Sequence, residues 1–595
     1  MFGKIKTLIW NRKYLILFIG LFLIVFTQRF LNEKQPGLVK SIASDGTGYY
    51  CYLPAALIYQ DFSYEFFNKP ENSINSIYRP DITKYKDRGV NKYYCGTAMC
   101  LLPFFLIGIL ISVIAGTDVN GYTDTFLMLV SLASIIYYLL SVFLISKIAK
   151  FFNISEKISL AGCFIFFFGT NLFHYTIQEP SMSHIYSFFA VSLFFYLFTR
   201  LINNSCQKNF IYLGLAIGLV FLIRPVNIII ILFTPFFFKN IVTYFEFLKS
   251  IFVSNLKGFF YFILAATSIV FIQFLLYYFQ TGDFFIVAYE GETFDFLKPE
   301  FFNTLFSYKK GLLLYVPLVF LALAFILITQ SNWYKKTIFL ITFFVFLYIT
   351  ASWWCWWYGG GLSIRPIVDI LPIFILTSVL LFNKLSVFRK KIILFLTIPF
   401  LFYNQIIAFQ YANLLIDYDK MDKDKFWDVF LETEANTVFE NKKTRILIGR
   451  TILKTECLNY ENFESDNVIV NEGFNSKKAC LVGKSNYYSK GLTISEKDIN
   501  FKGSFYIIVE CMAKAQEGDK GLSLVLAATQ NDILAGWYMV FCKQFSERSD
   551  GWTRMCNIIE IDGSFMNEKS IIKIFANSEN GKYLVDDLKY SIIIK

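Results

Sequence analysis

The sequence predicts a polytopic α-helical membrane protein carrying a C-terminal all-β domain of jelly-roll-like sandwich type. Three observations predict it. The 595 residues are 55% hydrophobic and 19% aromatic, with 70 phenylalanines. Apolar runs of bilayer-crossing length follow one another between short basic loops. After about Ile416 the chain turns to charged segments with strand-like alternation. The net charge of +11 is spread through the short loops, where it sets topology, and it forms no patch suited to nucleic acid.

The N-terminus reads Lys4, Lys6, Arg12 and Lys13 before an apolar run to about Gln28, with no small-residue cleavage site after it. It is therefore read as a retained anchor with a cytoplasmic N-terminus. Residues 29–94 then form a long exported loop, rich in Tyr, that contains Ser44-Asp45-Gly46-Thr47-Gly48 and a charged cluster at Asp81, Lys86, Asp87, Arg88 and Lys92.

Two later segments decide the parity of the spans. Cys95 to Gly116 is apolar enough to cross but holds Pro103, and Phe210 to Phe238 is interrupted by Arg224-Pro225-Val226-Asn227. Most basic loops fall inside when the first segment lies along the outer interface and the second is two short helices meeting at Arg224. About eleven spans follow, near 14–28, 122–146, 158–175, 184–202, 210–223, 225–238, 258–280, 312–330, 337–352, 364–383 and 392–412. Lys150 and Arg389 are then inside. Outside lie the Asp45 loop, Gln178-Glu179-Pro180-Ser181-Met182-Ser183-His184, the Arg224 break, residues 282–311, and the Trp353–Gly361 turn that leads to Arg365 and Asp369.

The membrane part thus spans 1–412, and 413–440 is a linker. Residues 441–595 carry roughly eight alternating strands, near 445–449, 467–471, 505–511, 522–526, 537–542, 552–561, 570–575 and 582–594. Gly518-Asp519, Asp550-Gly551, Asp562-Gly563 and Asn580-Gly581 mark turns between them. Such sandwiches bind sugars, proteins or nothing; carbohydrate binding is the reading kept for this one. The 11 cysteines include no CxxC pair, and the two histidines, His174 and His184, rule out a His-rich zinc site. Cys51 with Cys95, or a pair among the five cysteines after 441, is left open as a bridge.

Asp45 has two accounts. It caps a short amphipathic helix over Tyr49 to Tyr59, or its carboxylate faces a reaction site just outside the membrane. The exported Asp, the Asn91-Lys92-Tyr93-Tyr94-Cys95-Gly96-Thr97-Ala98 approach, the Leu222-Ile223-Arg224-Pro225-Val226-Asn227 break, and the Trp- and Gly-rich turn before Arg365 resemble the GT-C superfamily. So does Ser307-Tyr308-Lys309-Lys310-Gly311-Leu312 with Tyr315 and Pro317. These polytopic glycosyltransferases include protein O-mannosyltransferases and the lipid A aminoarabinose transferase, and the likeness covers 1–412. It implies a polyprenyl-phosphate-linked sugar donor, a glycan, lipid or protein acceptor, and a site at the lipid surface, with the first-loop acidic residue matching Asp45. Many members carry a second acidic residue beside it; here Gly46 follows. The bacterial members imply an inner-membrane location with the β-domain in the periplasm.

The chemistry of such a transfer explains the other candidates. A carboxylate takes the acceptor's proton, which is the role expected of Asp45, and the leaving phosphate needs fixed positive charge. Arg365, Arg224 and Lys92 are the expected phosphate ligands, the arginines for their bidentate fork, although both also fit helix ends where they would simply snorkel. Glu179 and His184 are expected to line the pocket. Trp356, Trp357 and Tyr358 stack on sugar or form an interfacial belt, and Gly360 sits in a run that lets backbone approach a ligand. No cofactor is assigned; a divalent metal is possible and would fall to Asp45 and Glu179. The alternatives are a polysaccharide polymerase or ligase of another membrane fold, and a lipid-linked-sugar transporter, which would show a repeat between halves that this sequence lacks.

Overall fold

In a computed structural model, described residues are Gly20, Leu21 and Leu23, then 41–69, 72, 74 and 78–433 apart from positions 87, 290, 414 and 418–420. From there they are 452–458, 469–470, 479–482, 488–489, 491–498, 505–517, 522–530, 533–542, 550–561, 569–578 and 582–594. Two compact units result, the larger built from 39–408 with 1–28 and 417–422, the other from 423–595 with 29–38 and 409–416.

The first unit is helical. Among the described residues six helices are long and apolar enough to cross a membrane: Gly96–Ala115, Asp124–Phe151, Ser183–Asn203, Leu256–Thr281, Trp333–Ser352 and Val387–Ala412. Gly96–Ala115, expected to lie along the outer interface, is among those long enough to cross. It is one continuous helix through Pro103, about 30 Å long at 1.5 Å per residue, and Leu106, Leu110, Val113 and Ile114 are exposed apolar residues along it.

The other expected spans take shorter forms. The segment near 225–238 is a 3₁₀ helix, Pro225–Phe237, held by Pro225 and Pro235 and bent by 109° from the helix that follows. The 312–330 segment is cut at Val316, because Pro317 has no N–H for a preceding turn and starts a new helix, Pro317–Thr329. The 158–175 segment stops at Gly169 and restarts at Leu172. Gln207–Ile223 and Ile367–Asn383 are apolar but short. The expected span 14–28 lies outside the described residues except for Gly20, Leu21 and Leu23.

The first loop is folded into this unit. Helix Asp45–Tyr50 runs on through Tyr52–Pro54 to a π-helical turn at Ala55–Tyr59, and Tyr49, Tyr50, Tyr52, Tyr64 and Phe66 are buried. The amphipathic segment expected over Tyr49 to Tyr59 is interior from Tyr49 to Ala55, where its tyrosines find hydrogen-bond partners, and is exposed at Ala56 and Leu57. Tyr50 donates to Gly121 O at 2.6 Å and Tyr52 to Tyr93 O at 2.6 Å. Strands β1 (Ile82–Tyr85) and β2 (Arg88–Asn91) form an antiparallel hairpin. Gln273 and Gln280, polar residues within Leu256–Thr281, anchor the loop's end by accepting the N–H groups of Cys95 at 2.8 Å and Asn91 at 2.9 Å.

The second unit is antiparallel β. Its strands are β3 (Ile452–Leu458), β4 (Ile469–Val470), β5 (Ala479–Val482), β6 (Leu492–Ser495), β7 (Phe505–Glu517), β8 (Ser523–Gln530), β9 (Ile533–Phe541), β10 (Trp552–Ile561), β11 (Ser570–Asn577) and β12 (Lys582–Ile594). One sheet runs β10-β7-β12-β5-β4 with β3 also on β12, and the other β6-β11-β8-β9. Ile507, Val509 and Cys511 of the first share a core with Leu524, Leu526, Ile572 and Ile574 of the second. Period-2 alternation thus gives each sheet one apolar face, and the two faces close on each other. The strand expected at 445–449 lies outside the described residues. Cys51, Cys95 and Cys511 are free thiols.

Candidate active site

Asp45 is the first residue of its helix, and neither it nor Ser44 makes a side-chain cap. Its carboxylate is turned to two other groups. Tyr93 donates to Oδ1 at 2.9 Å, and Arg365 Nη2 lies 2.5 Å from Oδ2. The backbone is shaped for this approach. Ser44 has φ of +50°, a conformation costly for a residue with a Cβ and typical of functional sites. A Cβ on Gly46 would lie 2.0 Å from Ser181 Oγ, and one on Gly48 would lie 2.0 Å from the Tyr93 ring. Glycine is therefore required for the loop to reach both partners.

A second cluster adjoins the first. Asp369, fully buried one turn after Arg365, forms an ion pair with Arg224, whose Nε lies 3.1 Å from Oδ2, and faces His184 Nδ1 at 2.9 Å on Oδ1. Arg224 stands where helix Gln207–Ile223 gives way to Pro225, which is why an extended residue with a long side chain is available there. Asp369 falls in the first turn of Ile367–Asn383, where a carboxylate complements the helix dipole.

Electrostatics follow from these contacts. Burial opposes ionisation of Asp45, but the Arg365 charge, the Tyr93 hydrogen bond and the Arg224 charge outweigh it and hold its pKa below the ordinary carboxylate value. Burial, with Asp45 beside it, pushes the Tyr93 phenol far up, so Tyr93 acts only as a donor. Arg365 Nε and Nη1 are buried and have no hydrogen-bond partner among the described residues. Guanidinium N–H groups of this kind can donate to an anion.

The remaining expected residues are placed as follows. Lys92 does not stand with the arginines as a free cation: it pairs with Glu292 at 2.8 Å and Asp81 at 3.0 Å. Glu179 is buried 3.4 Å from His174 Nε2. Trp356 and Trp357 are half-buried and meet edge to face at 5.7 Å, with Lys309 Nζ 3.6 Å from the centre of the Trp357 ring. Tyr358 has φ of +58° and its hydroxyl reaches Thr350 O at 3.5 Å. Gly360 is half-buried in the same turn, which Lys310 braces from below by donating to Gly361 O.

Sequence reasoning gave no role to Tyr93, Tyr175 or Lys310, and left Asp369 without a function. Asp369 carried a usable signal, being the one carboxylate in the apolar run 364–383. Tyr93 carried none, as one of 37 tyrosines. The residues present do not fit a divalent cation. Both Asp45 oxygens are engaged by hydrogen-bond donors, and among the described residues no three His, Cys, Asp or Glu side chains are grouped as metal ligands.

No protein-family model and no curated protein matches the sequence. Among solved structures, the chain is similar to the oligosaccharyltransferase of Archaeoglobus fulgidus. For the apo form the identity is 13% and the TM-score 0.36, over 71% of this chain and 58% of that one. For its complex with zinc and sulfate the values are 12% and 0.34, over 69% and 54%. The chain matches little more than half the length of that enzyme, and a superposition this loose assigns neither a family nor an activity.

Proposed function

We propose that the helical unit is a membrane glycosyltransferase that moves a sugar from a polyprenyl-phosphate-linked donor to an acceptor at the outer membrane face. The observation that carries this reading is the pairing of a partly exposed carboxylate, Asp45, with a guanidinium, Arg365, that keeps buried, unpartnered N–H groups. An acceptor hydroxyl attacks the anomeric carbon from the side opposite the phosphate, with inversion. As the new C–O bond forms, the bond from that carbon to the phosphate oxygen breaks. Its electron pair leaves with the lipid phosphate, and the hydroxyl proton passes to Asp45.

Arg365 meets the developing phosphate charge, with Arg224 in support, because preorganised guanidinium donors stabilise a transferring phosphate oxygen well in a water-poor site. Lys92, already matched by two carboxylates, serves the loop's fold. Trp356, Trp357 and Tyr358 offer faces for the sugar, Gly360 lies in the turn beside them, and Glu179 and His184 line the pocket. The β-sandwich, about 441–595, assists acceptor or glycan binding and supplies no catalytic group. The protein is placed in a bacterial inner membrane with its N-terminus in the cytoplasm and the sandwich outside.

The test is mass spectrometry of envelope glycans and lipid-linked sugars with and without the gene, complemented by the wild type or by Asp45→Asn. Loss of one glycan with accumulation of one polyprenyl-phosphate sugar, restored only by the wild type, supports the reading. Unchanged glycans and lipid-linked sugars overturn it.

A further inference from the structure

His184 and Asp369 form a dyad whose geometry is more constrained than a pocket wall needs. Asp369 is 0% exposed and His184 1%. A carboxylate in that position is costly unless it is paired, and its two oxygens face groups from different helices: Oδ1 lies 2.9 Å from His184 Nδ1 at the start of Ser183–Asn203, and Oδ2 lies 3.1 Å from the charged Arg224 Nε at the end of Gln207–Ile223. A carboxylate paired with the Arg224 guanidinium only accepts. The proton shared at 2.9 Å therefore belongs to His184 Nδ1. A second ring proton would add another positive charge beside Arg224, with nothing to receive it. His184 Nε2 is left as a lone pair, buried and without a hydrogen-bond partner among the described residues. The ring packs at 5.1 Å on Tyr175, whose hydroxyl receives the Leu362 N–H at 2.9 Å in the turn leading to Arg365.

We propose that Asp369 is a positioning residue that fixes His184 as the Nδ1–H tautomer, so that Nε2 accepts a hydrogen bond from a hydroxyl of the bound sugar donor. The second half rests on the glycosyltransferase reading; the first does not. The physical reason is the cost of a buried acceptor left unpaired, which a correct ligand removes and a ligand lacking the hydroxyl does not. The same carboxylate steadies Arg224, so one residue aligns a phosphate ligand and a sugar ligand that come from separate helices.

The chain has two histidines, which makes nitrogen-15 NMR of histidine-labelled full-length protein direct, with His184→Gln assigning the signals. In the wild type His184 should show a protonated Nδ1 and a bare Nε2. A His184 found as the Nε2–H tautomer overturns the proposal without recourse to any variant. In Asp369→Asn the amide oxygen serves only one of its two neighbours, and the Nδ1–H signature should be lost; unchanged ring nitrogens there also overturn it. The probes are undecaprenyl phosphate alone, and undecaprenyl-phosphoryl glucose, mannose and galactose. A shift of the Nε2 signal by a sugar-bearing lipid but not by the bare carrier is the expected result, with Asp369→Asn raising that lipid's KM by roughly 10- to 100-fold. A sugar lipid that is turned over while Nε2 stays unshifted removes the hydroxyl contact. Binding of none of these lipids counts against the glycosyltransferase reading and the contact with it, while the tautomer is judged separately on the free protein.

Discussion

Arg365 Nη2 lies 2.5 Å from Asp45 Oδ2, across 320 positions of sequence. This contact joins the first loop to the turn before helix Ile367–Asn383. In the absence of donor, Asp45 is therefore a stabilised anion with little drive to take a proton. A phosphate that draws on the Arg365 charge restores that drive.

Asp45→Asn keeps size and polarity but has no basic oxygen. Transfer should fall by about 10²- to 10⁴-fold, the usual worth of a general base, while donor binding persists. Near-normal turnover by the purified variant removes Asp45 from the chemistry.

The pH dependence follows from the sign of the Asp45 shift. Its folded value is lower than the ordinary 3.8, so the stability it contributes is complete above the unfolded value and is lost as pH falls through the folded one. Acid denaturation of the wild type should therefore steepen below about pH 4, and Asp45→Asn should flatten that limb. The acid limb of kcat/KM, which reports the free enzyme, should also lie below the ordinary carboxylate range. A limb at higher pH assigns it to another group.

Arg365→Lys keeps a charge but loses the fork. Donor KM should rise more than acceptor KM, and Arg365→Ala should lower donor affinity further. Equal donor affinity in the alanine variant takes Arg365 out of the phosphate site.

Gly48→Ala puts a methyl where the Tyr93 ring stands. Tyr93 must move, and Asp45 loses its Oδ1 partner, so activity should fall although the substitution touches no charged group. Pairing it with Tyr93→Ala should relieve the clash and recover the fold but not the activity. Full activity in Gly48→Ala shows that Tyr93 does not support Asp45.

Topology has a native probe. Cys206 is exposed and sits between Arg200 and Lys208, in a loop expected inside. An impermeant maleimide on intact cells should miss Cys206 and label a cysteine placed at exposed Trp354, with peptide mass spectrometry resolving the sites. Labelling of Cys206 but not position 354 reverses the parity and moves the site to the cytoplasmic face.

The sequence by itself determined the material of this protein. Apolar runs of bilayer length and period-2 alternation are local properties, so the helical unit, β4 and β7 to β12 were legible while β3, β5 and β6 were not, and Asp45, Arg224 and Arg365 stood out as charges too costly to keep near lipid without a task. Local pattern also set the helix breaks, through Pro225 and Pro317. Only the tertiary structure decided which charge meets which. Lys92 resembles the arginines in sequence, yet Asp81 and Glu292 capture it, while Arg224 and His184 are drawn to Asp369. The interior placement of the Asp45 helix likewise depends on glutamines and a tyrosine far along the chain. Pairings of this kind are chosen by packing between distant segments, where an unpaired buried charge is expensive, and no periodicity within either segment records the partner.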